Sequence, residues 1–420
     1  MGAPYLPRLI DNYIADKLEY AGAILIEGVK WCGKTRTAKE KAASGISFHD
    51  PKNGGSYRRL ATTDPSVLLE GAVPRLIDEW QAAPEMWNAV KYEVDERGLP
   101  GQFILAGSAA PTEDPSRHSG AGRISRVIMR PMSLFESRES NGSVSLRNIF
   151  DRKEKVRGHS DLTVKKLSSA LVRGGWPALM NAKEKASMGM MRGYVEAIIN
   201  TDTSRVDKVQ RSPATVRQLL RSLSRNISTP ANMSTIRKDM VGDDDSVSEK
   251  TVSSYINALR RIFVVEDVPA WNPSLRSSTA VRGSPKRHFV DPSIATAVMQ
   301  TSPNGLLEDF NTFGFLFESL CIRDLRVYSQ MLNGEVFHYR DSYGLEADAI
   351  VHLMDDRWGA VEMKMGSKEI EEGIKNLKKL REIIDPEKMA PPSFLMILTA
   401  TEYAEERDGV LIVPIGCLRD

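Results

Sequence analysis

Cysteine is scarce in this chain. Cys32, Cys321 and Cys417 lie far apart among 420 residues, with no C-x-x-C pair and no histidine at zinc-ligand spacing. A disulfide framework and a Cys/His zinc site are thereby excluded, and the three read as reduced thiols of a cytoplasmic protein. Net charge is nearly absent too: 57 Lys+Arg against 55 Asp+Glu leave +2. No global field draws the protein to nucleic acid or to a membrane, so any basic surface must be local. The start of the chain has no apolar run long enough for a signal peptide or a membrane span, and position 6 is Leu6 rather than the Ser or Thr of an acylation signal. No membrane association is expected. A single core stops growing near ~250–300 residues, so this length predicts several compact units.

What is present begins at residue 28. Gly28-Val29-Lys30-Trp31-Cys32-Gly33-Lys34-Thr35 fits the phosphate-cradling pattern G-x-x-x-x-G-K-[ST] and follows the apolar run Ala23-Ile24-Leu25-Ile26 directly. Glycines let backbone curl around an anion, and the free N–H groups opening the next helix point at it. The expected ATP site is this loop with Arg36 beside it. In it Lys34 reaches the β/γ-phosphate oxygens and Thr35 ligates Mg²⁺, while Trp31 and Cys32 occupy variable positions without chemistry of their own.

A second apolar run ends in Leu76-Ile77-Asp78-Glu79. Adjacent acids closing a buried strand suit an ATPase, Asp78 for the Mg²⁺ shell and Glu79 for polarising the attacking water; a surface turn is the alternative. A third run, Phe103 to Ala106, delivers Gly107-Ser108, where Ser108 senses the γ-phosphate or simply makes a turn. Arg123 and Arg126 follow the loop Glu113 to Gly122. They are candidates for stabilising transition-state charge, with surface ion pairing as the other reading.

The first ~140 residues alternate strand-like runs and helical periodicity, which predicts a parallel sheet flanked by helices. Residues 139–162 are polar and read as a linker before a helical lid that extends to 208. Within the lid, Arg173-Gly174-Gly175-Trp176-Pro177 either breaks a helix pair or turns Arg173 toward the nucleotide. From 209 to 290 the pattern predicts helices and a hairpin: Ser248 caps a helix with Val252, Tyr255, Ile256 and Leu259 on one face, and Arg276, Arg282, Lys286 and Arg287 form a basic wing. Contact with DNA phosphates through 248–290 is one reading, opposed by Asp243-Asp244-Asp245, and packing is the other.

The last unit, 291–420, opens on Asp291-Pro292 and carries a second set of acids. Alternation across two strands puts Ala349, Val351, Val361 and Met363 on one face and Asp348, Glu362 and Lys364 on the other. Glu318 lies on the same helical stripe as Phe315, Ile322 and Leu325, where a charge demands a cation. Glu318, Asp348 and Glu362 are therefore expected to bind Mg²⁺ and Lys364 to position water in a phosphodiesterase site, against the alternative of cross-strand ion pairs.

With these motifs in hand, the chain resembles the prokaryotic AAA-type P-loop ATPases that carry a C-terminal DUF4143 domain. The resemblance rests on the loop Gly28 to Thr35, Ile77-Asp78-Glu79, Leu105-Ala106-Gly107-Ser108, Arg130-Pro131-Met132-Ser133, Gly174-Gly175-Trp176-Pro177, Asp291-Pro292-Ser293 and Phe317-Glu318. It implies an α/β fold: a P-loop NTPase parallel sheet (1–140), a helical lid (141–208), a winged-helix-like unit (209–290) and a restriction-endonuclease-like α/β domain of the PD-(D/E)XK nuclease type (291–420). The expected activity is ATP hydrolysis with Mg²⁺ driving a DNA-handling nuclease domain; the alternative is an ATP-driven switch that binds DNA or a protein. The oligomeric state is left open.

Overall fold

A computed structural model describes residues 4–108, 120–153, 155–207, 209–242, 247–273, 283–385, 387 and 389–420. Most of the loop after Glu113, the run Asp243-Asp244-Asp245, and Arg276 and Arg282 lie outside them. The chain divides into two compact units: 1–131 with 205–209 and 261–263, and 132–204 with 210–260 and 264–420.

The first unit opens with α1 (Ile10–Leu18) and is built on five strands. These are β1 (Ala23–Glu27), β2 (Ser44–Ser47), β3 (Arg75–Asp78), β4 (Phe103–Gly107) and β5 (Ile124–Ile128), in the order β2-β3-β4-β1-β5. Every pairing is parallel. β1 and β4 are buried throughout, as strands covered on both faces must be, which is why they read as unbroken apolar runs. Helices α2 (Lys34–Lys41), α3 (Gly54–Thr63) and α4 (Met86–Arg97) make the crossovers. One core gathers Phe48, Trp80, Trp87, Phe103 and Leu105, with the two tryptophan rings 5.1 Å apart. Parallel registration brings Glu27, Asp78 and Gly107 to the same edge of the sheet. Ligands bind at that edge in such sheets.

Apart from 205–209 and 261–263, the second unit contains the expected lid, middle and C-terminal stretches together; the boundaries at 140 and 290 fall inside it. The linker expected over 139–162 is corrected by the structure. It forms β6 (Val144–Ser145), α5 (Leu146–Asp151) and β7 (Gly158–His159). Their partners come from the other end of the chain, which local composition does not encode. Helices α6 (Val164–Arg173) and α7 (Glu184–Ala197) follow, then α8 (Pro213–Arg225), α9 (Met233–Val241) and α10 (Glu249–Arg261). Ser248 caps α10 as expected, accepting from Thr251 N at 3.2 Å, and Val252, Ile256 and Leu259 are buried. Antiparallel bridges Val265↔Phe289 and Val268↔Lys286 come next.

The rest comprises α11 (Ser293–Met299), α12 (Pro303–Glu308), α13 (Phe310–Gln330), β8 (Gly334–Arg340), β9 (Glu346–Leu353), β10 (Trp358–Lys364), α14 (Ile370–Ile383), β11 (Phe394–Thr399), β12 (Tyr403–Arg407), β13 (Val410–Pro414) and β14 (Leu418–Arg419). A mixed sheet runs β7-β12-β13-β11-β10-β9-β8, and β14 pairs with β6. β9 and β10 are antiparallel with Ala349 opposite Val361 and Val351 opposite Gly359, the register that the apolar faces required. Trp358, Ala360, Ile374 and Leu377 belong to the core between this sheet and α14.

A buried ion network organises this unit. The Arg323 guanidinium on α13 donates to Asp291 at 2.9 Å and to Asp324 at 2.7 Å, all three side chains being essentially without solvent contact. Both acids also accept backbone amides: Asp291 Oδ2, shared with Arg323, accepts Gly175 N, Asp291 Oδ1 accepts Ser293 N, and Asp324 Oδ2 accepts Leu134 N, each at 2.9 Å. Trp176 Nε1 donates to Ser293 Oγ at 2.9 Å. A Cβ on Gly175 would lie 2.1 Å from Met132 O, so this crossing of two backbones admits only glycine. Removing one member strands buried charge. Arg323→Leu is expected to destabilise the protein by ~3–5 kcal/mol, read as a fall in the urea midpoint, whereas Arg147→Leu, at an exposed site, should move it by about 0.5 kcal/mol or less.

Candidate active site

The loop after β1 and the first turn of α2 form the cradle. Gly28 adopts φ +150°, and a Cβ there would meet Met129 O at 2.1 Å; Gly33 adopts φ +106° and hands the chain into α2. Val29 and Cys32 are buried, with Cys32 Sγ donating to Met129 O at 3.3 Å, while Lys30, Trp31 and Arg36 are exposed. Arg36 pairs with Glu40 at 3.2 Å along the helix surface. Lys34 is buried. Its ammonium donates to Gly28 O at 2.8 Å and Val29 O at 2.7 Å, so the cation sits inside the curl of the loop.

Asp78, at the end of β3, joins this cradle. Thr35 Oγ1 donates to Asp78 Oδ1 at 3.0 Å and Ser47 Oγ, from the end of β2, to Oδ2 at 3.2 Å. A hydroxyl beside a buried carboxylate is the oxygen donor set that suits Mg²⁺. Glu79 follows in the left-handed region at φ 54°, and its carboxylate accepts from the Gln81 side-chain amide. Gln81 in turn abuts the end of β4, since a Cβ on Gly107 would lie 2.4 Å from Gln81 Oε1. Ser108 continues directly from Gly107 and is partly buried.

The two arginine candidates separate. Ile124 pairs with Ala23 at the start of β1, so Arg123 sits at the opposite edge of the parallel sheet from the loop, where it pairs with Asp95 at 2.6 Å. Five strand residues at about 3.3 Å each stand between it and the cradle. Arg123 as a charge-stabilising residue of its own chain's site is therefore corrected. Arg126, nearer the site edge, lies 3.7 Å from Glu27, whose carboxyl is pushed up by burial against the opposing pull of Arg126. In the second unit, Arg173 pairs with Glu139 and lines a cavity of about 730 Å³ with Lys165, Lys166, Glu184 and Ser187.

Sequence reasoning missed Arg8 and Tyr5. Arg8 is buried and donates to Cys32 O and to Arg130 O, each at 2.8 Å, tying the cradle to the segment after β5. Tyr5 bonds Asp11 at 2.6 Å and Thr37 of α2 at 2.9 Å. Neither belongs to a motif, and only the fold brings them near the loop.

The C-terminal acids meet a different partner. Lys286 Nζ, buried, lies 2.8 Å from Glu318 Oε1 and 2.9 Å from Asp348 Oδ1. Asp348 Oδ2 accepts Met363 N at 2.9 Å, and Lys364 Nζ lies 2.9 Å from Glu362 Oε2. Among the described residues no group of three or more His, Cys, Asp or Glu side chains could hold a metal ion. The expected Mg²⁺ set of Glu318, Asp348 and Glu362 is thus corrected. An ammonium answers Glu318 and Asp348 instead, and Lys364 pairs with Glu362. One ammonium cannot balance two carboxylates. Burial and the neighbouring Asp348 push Glu318 up to about 8; Asp348 is held low, the cost of its burial being outweighed by Lys286 and the Met363 amide. Lys286 itself is held well above the usual ammonium range, its burial outweighed by the two acids.

Two members of the expected basic wing are corrected with it, Arg276 and Arg282 lying outside the described residues. Lys286 is committed to those acids, and Arg287 is buried against Asp267 at 2.8 Å and Ala231 O at 3.0 Å, so neither meets a phosphate backbone.

Comparison with known proteins agrees with the order of these elements. Residues 21–137 match the AAA domain family, 164–305 a domain of unknown function, DUF8612, and 313–418 a second, DUF4143. The chain joins an AAA domain to a DUF4143 domain. Two uncharacterized proteins, from Mycobacterium bovis and Mycobacterium tuberculosis, are each 22% identical over 347 residues, spanning 81% of this chain and 70% of theirs. Among solved structures, a Walker-type ATPase of Pyrococcus abyssi is 14% identical at a TM-score of 0.43, over 69% of this chain and 94% of that one. PCH-2 of C. elegans is 12% identical at 0.21, over 60% and 67%. No helix among the described residues is long and apolar enough to cross a membrane.

The AAA domain's cradle depends on Arg8. Arg8→Ala removes the buried hydrogen bond to Cys32 O of the loop and the part-buried one to Arg130 O after β5, and we expect ATP affinity to fall about tenfold, roughly 1.4 kcal/mol, with far-UV circular dichroism unchanged. Isothermal titration calorimetry checks it.

Proposed function

We propose that this protein binds ATP in the AAA domain, hydrolyses it, and uses the cycle as a conformational switch. The observation that carries the reading is the contact of Thr35 with Asp78 beside a buried Lys34, three functional side chains from two separate motifs brought to one sheet edge. Gly28 to Thr35 enclose the phosphates with main-chain amides, and Arg36 flanks them. Lys34 supplies the positive charge, exchanging its bonds to Gly28 O and Val29 O for phosphate oxygens. Thr35 and Asp78 hold Mg²⁺, which when bound neutralises charge on the β- and γ-phosphates. Glu79 orients the attacking water, positioned by Gln81, and Ser108 senses the γ-phosphate at the end of β4.

Exchange of the Lys34 partners gives the switch its physical basis. A ligand shifts a conformational equilibrium only by its differential affinity for the two states, and the ammonium's exchange of loop carbonyls for phosphate supplies such a difference. Hydrolysis then resets the loop.

Two variants test the assignment. Lys34→Ala should lose ATP binding, with Kd raised at least 100-fold. Glu79→Gln should keep ATP Kd within about threefold of wild type while kcat falls about 100-fold or more. Equal hydrolysis rates in the two variants and the wild type would end this reading.

A further inference from the structure

In the DUF4143 domain Glu318 from α13 and Asp348 from β9 come together, and Glu362 and Lys364 of β10 pair with each other. Two carboxylates brought together in a protein interior call for a cation. The cation comes from the chain itself. Lys286, across from Val268 in the antiparallel bridge, carries its ammonium into hydrogen-bond range of Glu318 Oε1 and Asp348 Oδ1 at once.

Several oxygens and ring nitrogens around this point are also engaged, while His288 Nε2 and His338 Nδ1 are buried without a hydrogen-bond partner. Asp348 Oδ2 is held by the Met363 amide, and Glu362 Oε2 by Lys364. His288 Nδ1 shares a hydrogen bond with Ser319 Oγ at 3.2 Å, and His338 Nε2 with Ser284 O at 3.1 Å. The lysine is not a surface residue swung inward by chance: its backbone N–H and C=O both bond Val268, each at 3.0 Å, and the next residue, Arg287, is itself locked onto Asp267.

We infer that Lys286 is a built-in counterion that takes the position a divalent metal would need between Glu318 and Asp348, so that these two acids do not form the metal site of a phosphodiesterase. A dication brought to these oxygens would face the ammonium a few ångströms away, and like charges at that distance in a buried site repel strongly. Eviction of the lysine would also break the bridge to Val268 or bury the ammonium unpaired.

Removing the lysine should convert the pair into a cation site. Without nucleotide, the full-length wild type is expected to keep its thermal midpoint unchanged in millimolar Mn²⁺. Lys286→Met should melt lower than wild type and regain about 5 °C with Mn²⁺, the rise that saturation near 100 times Kd gives a unit of this size. Adding Asp348→Asn to Lys286→Met should abolish the regain, which separates this site from Mn²⁺ bound at the ATP loop. Stabilisation of the wild type by Mn²⁺ that Asp348→Asn abolishes would overturn the inference, as would a folded Lys286→Met indifferent to Mn²⁺. Should Lys286→Met fail to fold, wild type against Asp348→Asn decides alone: no Mn²⁺-dependent shift that Asp348→Asn removes upholds the counterion, and such a shift refutes it.

Discussion

A guanidinium sealed away from water must be paired, and Arg323 meets that constraint by gripping Asp291 and Asp324 together. Because each acid also accepts backbone amides, the requirement spreads to Gly175, Ser293 and Leu134. Segments separated by more than a hundred residues are thus held in one geometry. Such a network adds little net stability over apolar packing of the same volume, but it penalises every arrangement in which one partner is misplaced.

The molecule answers buried charge differently in its two halves. In the AAA domain, Lys34 rests on neutral carbonyls and Asp78 on neutral hydroxyls, partners that can be exchanged for phosphate and metal without stranding an ion. In the DUF4143 domain the acids face a full ammonium, so exchange there leaves a charge behind. The first arrangement is suited to turnover and the second to permanence.

Much of the AAA domain was legible in the sequence because its signals are local. The apolar runs are short and continuous, the glycines sit where the backbone must curl, and the acids follow a strand directly. The register of β9 on β10 was legible for a similar reason, since alternation over a few residues settles it. What escaped depends on distance along the chain. Lys286 and Arg287 look like an exposed basic turn until Glu318, Asp348 and Asp267 are folded against them. Residues 139–162 look like a linker because β6 and β7 are two residues each, and their partners are β14 and β12. Arg123 looked close to the phosphates in sequence, but a parallel strand carried it to the far edge.

The pairing of β6 with β14 ties Val144 to Leu418 and Ser145 to Arg419. During synthesis the segment near 144 emerges long before its partner, and the second unit cannot close until residue 418 has left the ribosome. The AAA domain's sheet has no such wait, for all five of its strands lie between 23 and 128. Birth of this protein is therefore staggered: the first sheet can mature on the nascent chain, while the other half stays open and in need of protection from aggregation until translation reaches those final strands.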